Sequence, residues 1–155
     1  MPNTYSQIYL QFVFAVKGRQ SLIPKSSKEE LHKYITSLAQ ARNAKMLAVH
    51  CMPDHIHLFA GIKPVVYIPD FVKEIKVESN EFINKKKWGM GNFGWQDGYG
   101  VFSYGHSQIN TVCGYILNQE KHHSKKTFKQ EYYQFLERFS ISFDEKYLFE
   151  WMEEL

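Results

Sequence analysis

His55 and His57 flank Ile56, and in an extended strand alternate side chains leave the backbone on one side. The spacing therefore holds two imidazoles next to each other while Ile56, Leu58, Ala60 and Ile62 turn toward a core. Tyr115 and Gln119 are four residues apart, one helical turn, which sets a phenol beside a carboxamide. If strand and helix pack together, two ring nitrogens and one amide oxygen could hold a divalent cation next to a tyrosine nucleophile. That donor set leaves a six-coordinate Mg²⁺ or Mn²⁺ with open positions for phosphate oxygens and water. Imidazole suits Mn²⁺, cellular supply favours Mg²⁺, and Zn²⁺ would more often recruit a third His or a Cys.

The elements that must position these groups are legible from periodicity. Ile8, Leu10, Phe12, Phe14 and Val16 alternate with Gln7, Tyr9 and Gln11, the pattern of a long first strand. Ser27 with Glu30 reads as a capping box, followed by helical spacing through Leu31, Tyr34, Ile35, Leu38 and Ala39 up to Asn43. A second strand from Lys45 to Met52 meets the turn formers Pro53 and Asp54, which lead into the strand from His55 to Ile62. Pro69 opens a second helix carrying Phe71, Val72, Ile75, Phe82 and Ile83 and ending in Lys85, Lys86 and Lys87.

Glycine is then dense from Gly89 to Gly105, and Asp97-Gly98 between aromatic flanks predicts a hairpin joining short strands near Trp95 and Phe102. Ser107 is placed to cap a third helix, at about residues 107–124, with Ile109, Val112, Cys113 and Ile116 as its apolar stripe and Tyr115 and Gln119 along its border. Thr127 with Gln130 is another capping box, opening a helical tail at about residues 127–155 with Phe128, Tyr132, Phe135 and Leu136 on one side. The order predicts one α/β (α+β) domain over residues 1–155, a ferredoxin- or RRM-like sandwich with a mainly antiparallel sheet and helices on one face.

Composition agrees with that scale. A chain of 155 residues, 44% hydrophobic, fits one compact domain. A net charge of +3 is compatible with a polyanion but too small to identify one. Cys51 and Cys113 lack the density of a secreted disulfide framework, and no apolar run approaches a membrane span, so a soluble, cytoplasmic protein with reduced thiols is expected.

Each chemical residue also has an ordinary reading. Histidines on a strand face are common, Asp54 could orient a histidine or simply form the turn, and His122 and His123 could substitute as ligands or line a surface. Lys121, Lys125, Lys126 and Lys129, with Lys85, Lys86 and Lys87, are solvated charge or contacts to nucleic acid.

The stretches Met52-Pro-Asp-His-Ile-His-Leu-Phe, Trp95-Gln-Asp-Gly-Tyr-Gly-Val-Phe-Ser and Tyr115-Ile-Leu-Asn-Gln-Glu-Lys-His-His resemble the small single-tyrosine, TnpA-type transposases of bacterial insertion sequences, within the HUH superfamily. The resemblance implies His55, His57 and Gln119 as ligands of Mg²⁺ or Mn²⁺ and Tyr115 as the group that attacks DNA. It further implies a homodimer, in which one subunit's tyrosine helix can complete its partner's site, and a substrate of single-stranded DNA carrying imperfect-palindrome hairpins. The competing expectations are a domesticated hairpin-binding module without transposition and a hydrolytic metalloenzyme using His122 or His123.

Overall fold

The computed structural model describes residues 3–18, 21–88 and 91–151; Gly89 of the glycine-rich segment and the last four residues of the expected tail lie outside them. Four strands, β1 (Tyr9–Ala15), β2 (Ala44–Cys51), β3 (His55–Ile62) and β4 (Gly100–Tyr104), form one sheet in the order β2-β3-β1-β4. Every neighbouring pair is antiparallel. α1 (Lys28–Gln40) joins β1 to β2 and α2 (Ile68–Lys86) joins β3 to β4. With these two crossovers on one face, the result is the ferredoxin-like sandwich expected from the element order.

Alternation along β1 and β3 decides what each face carries. Leu10, Phe12 and Phe14 of β1 and Ile56, Leu58 and Ala60 of β3 join Leu31, Ile35, Phe71 and Ile75 in the main core. Phe12 lies 5.2 Å from Phe71, and Tyr34 stacks on Phe82 at 4.0 Å where α1 meets α2. The opposite face presents Gln11, His55, His57, Phe59 and Phe102, and it too is covered. α3 (Ile109–Leu117) lays Val112 and Ile116 on Phe59 and Ala48. α5 (Phe128–Arg138) sets Phe135 on Phe102 at 4.8 Å. α4 (Gln119–His123) sits between them. The histidine face of the sheet is thus an interior, and the chain has three layers where periodicity alone marks two.

Several local expectations change. Ser27 precedes α1 but makes no capping bond, because its backbone (φ −103°, ψ −6°) is already helical after the 3₁₀ turn Lys25–Ser27. Thr127 has the extended backbone that capping needs (φ −78°, ψ 164°) and exchanges both bonds of the box with Gln130, at 3.2 and 2.9 Å. No hairpin joins Trp95 to Phe102. Trp95 bridges Val16 while β4 pairs with residues 9–13, so both lie against β1 and residues 96–99 loop out between them, with Gly98 at φ 87°. The helix expected over 107–124 is divided. It begins as a 3₁₀ turn at His106–Gln108, where Ser107 caps nothing, and breaks at Asn118 (φ −103°, ψ 23°) between Tyr115 and Gln119.

Gly100 shows how closely α5 is pressed to the sheet. A Cβ there would lie 2.6 Å from the Tyr132 hydroxyl and 3.0 Å from the Phe102 ring. Gly100→Ala is expected to lower the unfolding free energy by about 1–3 kcal/mol through overpacking, read as a reduced midpoint in chemical denaturation. An unchanged midpoint would mean that α5 yields without cost.

Candidate active site

β3 is a central strand, paired on both edges and buried on both faces, so His55 and His57 have no exposed surface. Their ring orientations are set by what holds Nδ1. Asp54 Oδ1 accepts from His55 Nδ1 at 2.7 Å, and Gln11 Oε1 accepts from His57 Nδ1 at 2.8 Å. The Gln11 amide is oriented in turn, because its Nε2 donates to the Tyr104 hydroxyl at 2.9 Å. With both Nδ1 atoms acting as donors, the neutral rings present Nε2 lone pairs to one shared space. Phe128 stacks on the His55 ring at 3.9 Å and 5°, closing the site from the α5 side.

The second half arrives from α3, α4 and α5. Gln119 is fully buried, with its Oε1 3.3 Å from His55 Nε2 and its Nε2 donating to Glu131 Oε2 at 2.9 Å. Despite the break at Asn118, Tyr115 and Gln119 still face the same group: the Tyr115 hydroxyl donates a short hydrogen bond to Glu131 Oε2. Glu131 Oε1 lies 3.1 Å from His57 Nε2, 3.1 Å from His123 Nε2 and 3.6 Å from His55 Nε2. His122 stacks on the Tyr115 ring at 4.4 Å. The Lys28–Glu120 ion pair ties α4 to the start of α1.

Burial and these contacts set the charge states. Burial raises the Tyr115 phenol well above its usual range, and the adjacent Glu131 charge pushes the same way. Burial would raise Glu131 as well, but the His57 ring and the bonds to His123 and His57 more than offset it and hold the carboxyl far below the usual carboxylate range. Burial lowers His57, only partly countered by Glu131. Asp54 is opposed by burial yet held low by its bond to His55.

His55 Nε2, His57 Nε2 and Gln119 Oε1 face one another across the site. That donor set fits a divalent cation bound through nitrogen and oxygen. The ligand atoms of His55, His57, His123 and Glu131 all lie within 4.8 Å of one another. A cavity of about 210 Å³ reaches the site, lined among others by Gln11, Tyr104, Tyr115, Lys126, Glu131 and Arg138. A larger cleft of about 700 Å³ runs between α2 and the loop before β4 and includes none of these residues.

The lysines divide. Lys126 lines the cavity and donates to Gln134 Oε1 at 2.6 Å, while Lys121 and Lys125 are exposed on and just after α4. Lys85, Lys86 and Lys87 end α2, on the sheet face away from the histidines, where Lys86 pairs with Glu30 at 2.7 Å. Sequence reasoning missed Glu131 and left Gln11 as a mere polar position. The signal for Glu131 was its place inside the stripe Phe128, Tyr132 and Phe135, where a carboxylate buried at 1% exposure needs partners.

The family described as "Transposase IS200 like" matches residues 4–119. The ISDra2 transposase TnpA of Deinococcus radiodurans is 26% identical over 120 residues, covering 73% of this chain and 84% of that protein. A crystal structure from Deinococcus radiodurans assigned as a transposase superposes with a TM-score of 0.59 at 24% identity, covering 76% of this chain and 94% of that one. A REP-associated tyrosine transposase bound to a REP hairpin superposes at 0.58 with 16% identity, covering 78% of this chain and 72% of that one. Among the described residues no helix is long and apolar enough to cross a membrane. The match across most of the chain, on a sheet shared with those structures, makes this protein a member of the IS200-like transposase family.

Proposed function

We propose that the chain cleaves and rejoins single-stranded DNA at insertion-sequence ends, as a homodimer, through a 5′-phosphotyrosine intermediate and with Mg²⁺ or Mn²⁺ held by His55, His57 and Gln119. One observation carries this reading. The Tyr115 hydroxyl is a single carboxylate away from two imidazoles whose Nε2 atoms converge on it. DNA hairpins enter the proposal because a fold relative was solved with one bound.

In the reaction the Tyr115 oxygen forms a bond to phosphorus, the bond from phosphorus to the 3′ oxygen breaks, and that oxygen leaves with a proton as a 3′ hydroxyl. A bound divalent cation would polarise the phosphate and stabilise the leaving oxygen. Lys126 and Arg138 line the cavity beside Tyr115 and supply positive charge where a phosphate approaches. His122, stacked on the phenol ring, holds it in place. Rejoining reverses the step: a 3′ hydroxyl attacks the tyrosine ester, whose bond energy is retained, so no nucleotide cofactor is required. A hairpin-binding module without cleavage is the second reading, favoured by the complete burial of His55, His57 and Gln119.

Incubation with single-stranded DNA containing the element end and Mn²⁺ is expected to give a covalent protein–DNA adduct that Tyr115→Phe abolishes and that His57→Ala loses while retaining hairpin binding. Binding without adduct in the unmodified chain would establish the second reading. The raised phenol makes a further prediction for the metal-free protein. Folding favours the neutral form of Tyr115, so its contribution to stability is complete below the unfolded tyrosine pKa of about 10 and fades as pH rises through the higher folded value. In a near-ultraviolet alkaline titration, Tyr115→Phe should therefore leave the ionisation amplitude around pH 10 unchanged. Loss of one tyrosine's amplitude there would show that the phenol is not held neutral.

A further inference from the structure

Glu131 is a buried carboxylate with an unusual surround. Asp54 and Gln11 take the Nδ1 protons of His55 and His57, so Nε2 of each neutral ring faces inward as an acceptor. Gln119 spends its Nε2 hydrogen on Glu131 Oε2 and so turns its Oε1 toward the rings. Into this group Glu131 inserts Oε1, 3.1 Å from His57 Nε2 and 3.6 Å from His55 Nε2. Lone pairs and a carboxylate oxygen repel at such distances in a dry interior unless positive charge sits between them. A cation with ligands at about 2.1 Å places adjacent ligand atoms about 3.0–3.4 Å apart; the pairs Glu131 Oε1–His57 Nε2 at 3.1 Å and Gln119 Oε1–His55 Nε2 at 3.3 Å fall in that range, and Glu131 Oε1–His55 Nε2 at 3.6 Å lies just beyond it. Protonated imidazoles are the competing source of charge, and Mn²⁺ binding distinguishes the two.

The other oxygen, Oε2, accepts from the Tyr115 phenol. Glu131 lies twelve residues beyond Gln119, where the family match ends, on a helix that match does not include. We infer that Glu131 is a ligand of the divalent cation through Oε1 and, through Oε2, the positioning residue that holds Tyr115 against the metal centre. The inference rests on the metal reading of the proposed function and deepens it: the ligand set becomes His55, His57, Gln119 and Glu131. Its single formal charge cancels half of the cation's and favours a hard divalent ion such as Mn²⁺ or Mg²⁺ over a soft one. His123, 3.1 Å from Oε1, stands beside the carboxylate as its outer hydrogen-bond partner.

The test is Mn²⁺ binding to the full chain without DNA, followed by the electron paramagnetic resonance signal of the free ion. Glu131→Gln, close to isosteric, is expected to weaken binding at least tenfold and Glu131→Asp to recover part of it. A Mn²⁺-soaked crystal of the unmodified chain makes the result independent of whether the variants fold. An anomalous peak about 2.2 Å from Glu131 Oε1, with the Tyr115 hydroxyl still bonded to Oε2, is the expected outcome. Mn²⁺ on His55 and His57 but away from Glu131, or unchanged binding by Glu131→Gln, overturns this inference and leaves the proposed function standing. A phenol swung away from Oε2 overturns the positioning role, and absence of Mn²⁺ binding by the unmodified chain overturns both.

Discussion

The structure depends on a cluster of nitrogen and oxygen atoms from four side chains brought within hydrogen-bond distance in its interior. Two imidazole nitrogens, an amide oxygen and a carboxylate oxygen share one small buried volume, and each side chain is held there by a bond at its other polar atom. Such an arrangement persists only where the surrounding packing over-determines it. Here that packing comes from both sheet faces: the main core fixes β3 from one side, and aromatic rings on α5 close it from the other.

That constraint explains the third layer. An antiparallel sheet can leave one face in water, and an exposed His55 and His57 would then be ordinary surface residues. Instead α3 buries Val112 and Ile116 against Phe59, α4 delivers Gln119, and α5 delivers Glu131. Truncating one member of a buried ionic cluster leaves its partners uncompensated, so the three helices and the sheet face are energetically coupled. The close approach at Gly100 and the stacking of Phe102 between Phe135 and Phe139 are the packing side of that coupling.

How much was legible varies with the range of the interaction. The β1 and β3 alternation, the start of α2 at Pro69 and the capping box at Thr127 are local patterns, and the structure reproduces them. Ser27 and Ser107 have the right residue type for caps but sit in 3₁₀ turns, a backbone state that residue type does not report. Asp97-Gly98 does turn the chain, yet Trp95 bridges Val16 and β4 pairs with β1 rather than the two pairing with each other, because pairing partners are a property of the sheet. Asp54 was weighed as turn former or histidine partner and serves as both.

From the order of residues alone came the facing pair of histidines, the phenol and carboxamide one turn apart, the element order of the fold and the family likeness. Each of these follows from the two backbone periods or from contiguous motifs, which need no knowledge of what lies across the fold. Glu131 beneath Tyr115, Gln11 behind His57, the removal of Lys85, Lys86 and Lys87 to the far face, and the stacking of Phe128 on His55 were decided only by tertiary structure. The physical reason is that charge compensation in a buried site acts over a few ångströms of space, and the chain reaches that distance through helix packing rather than through sequence separation.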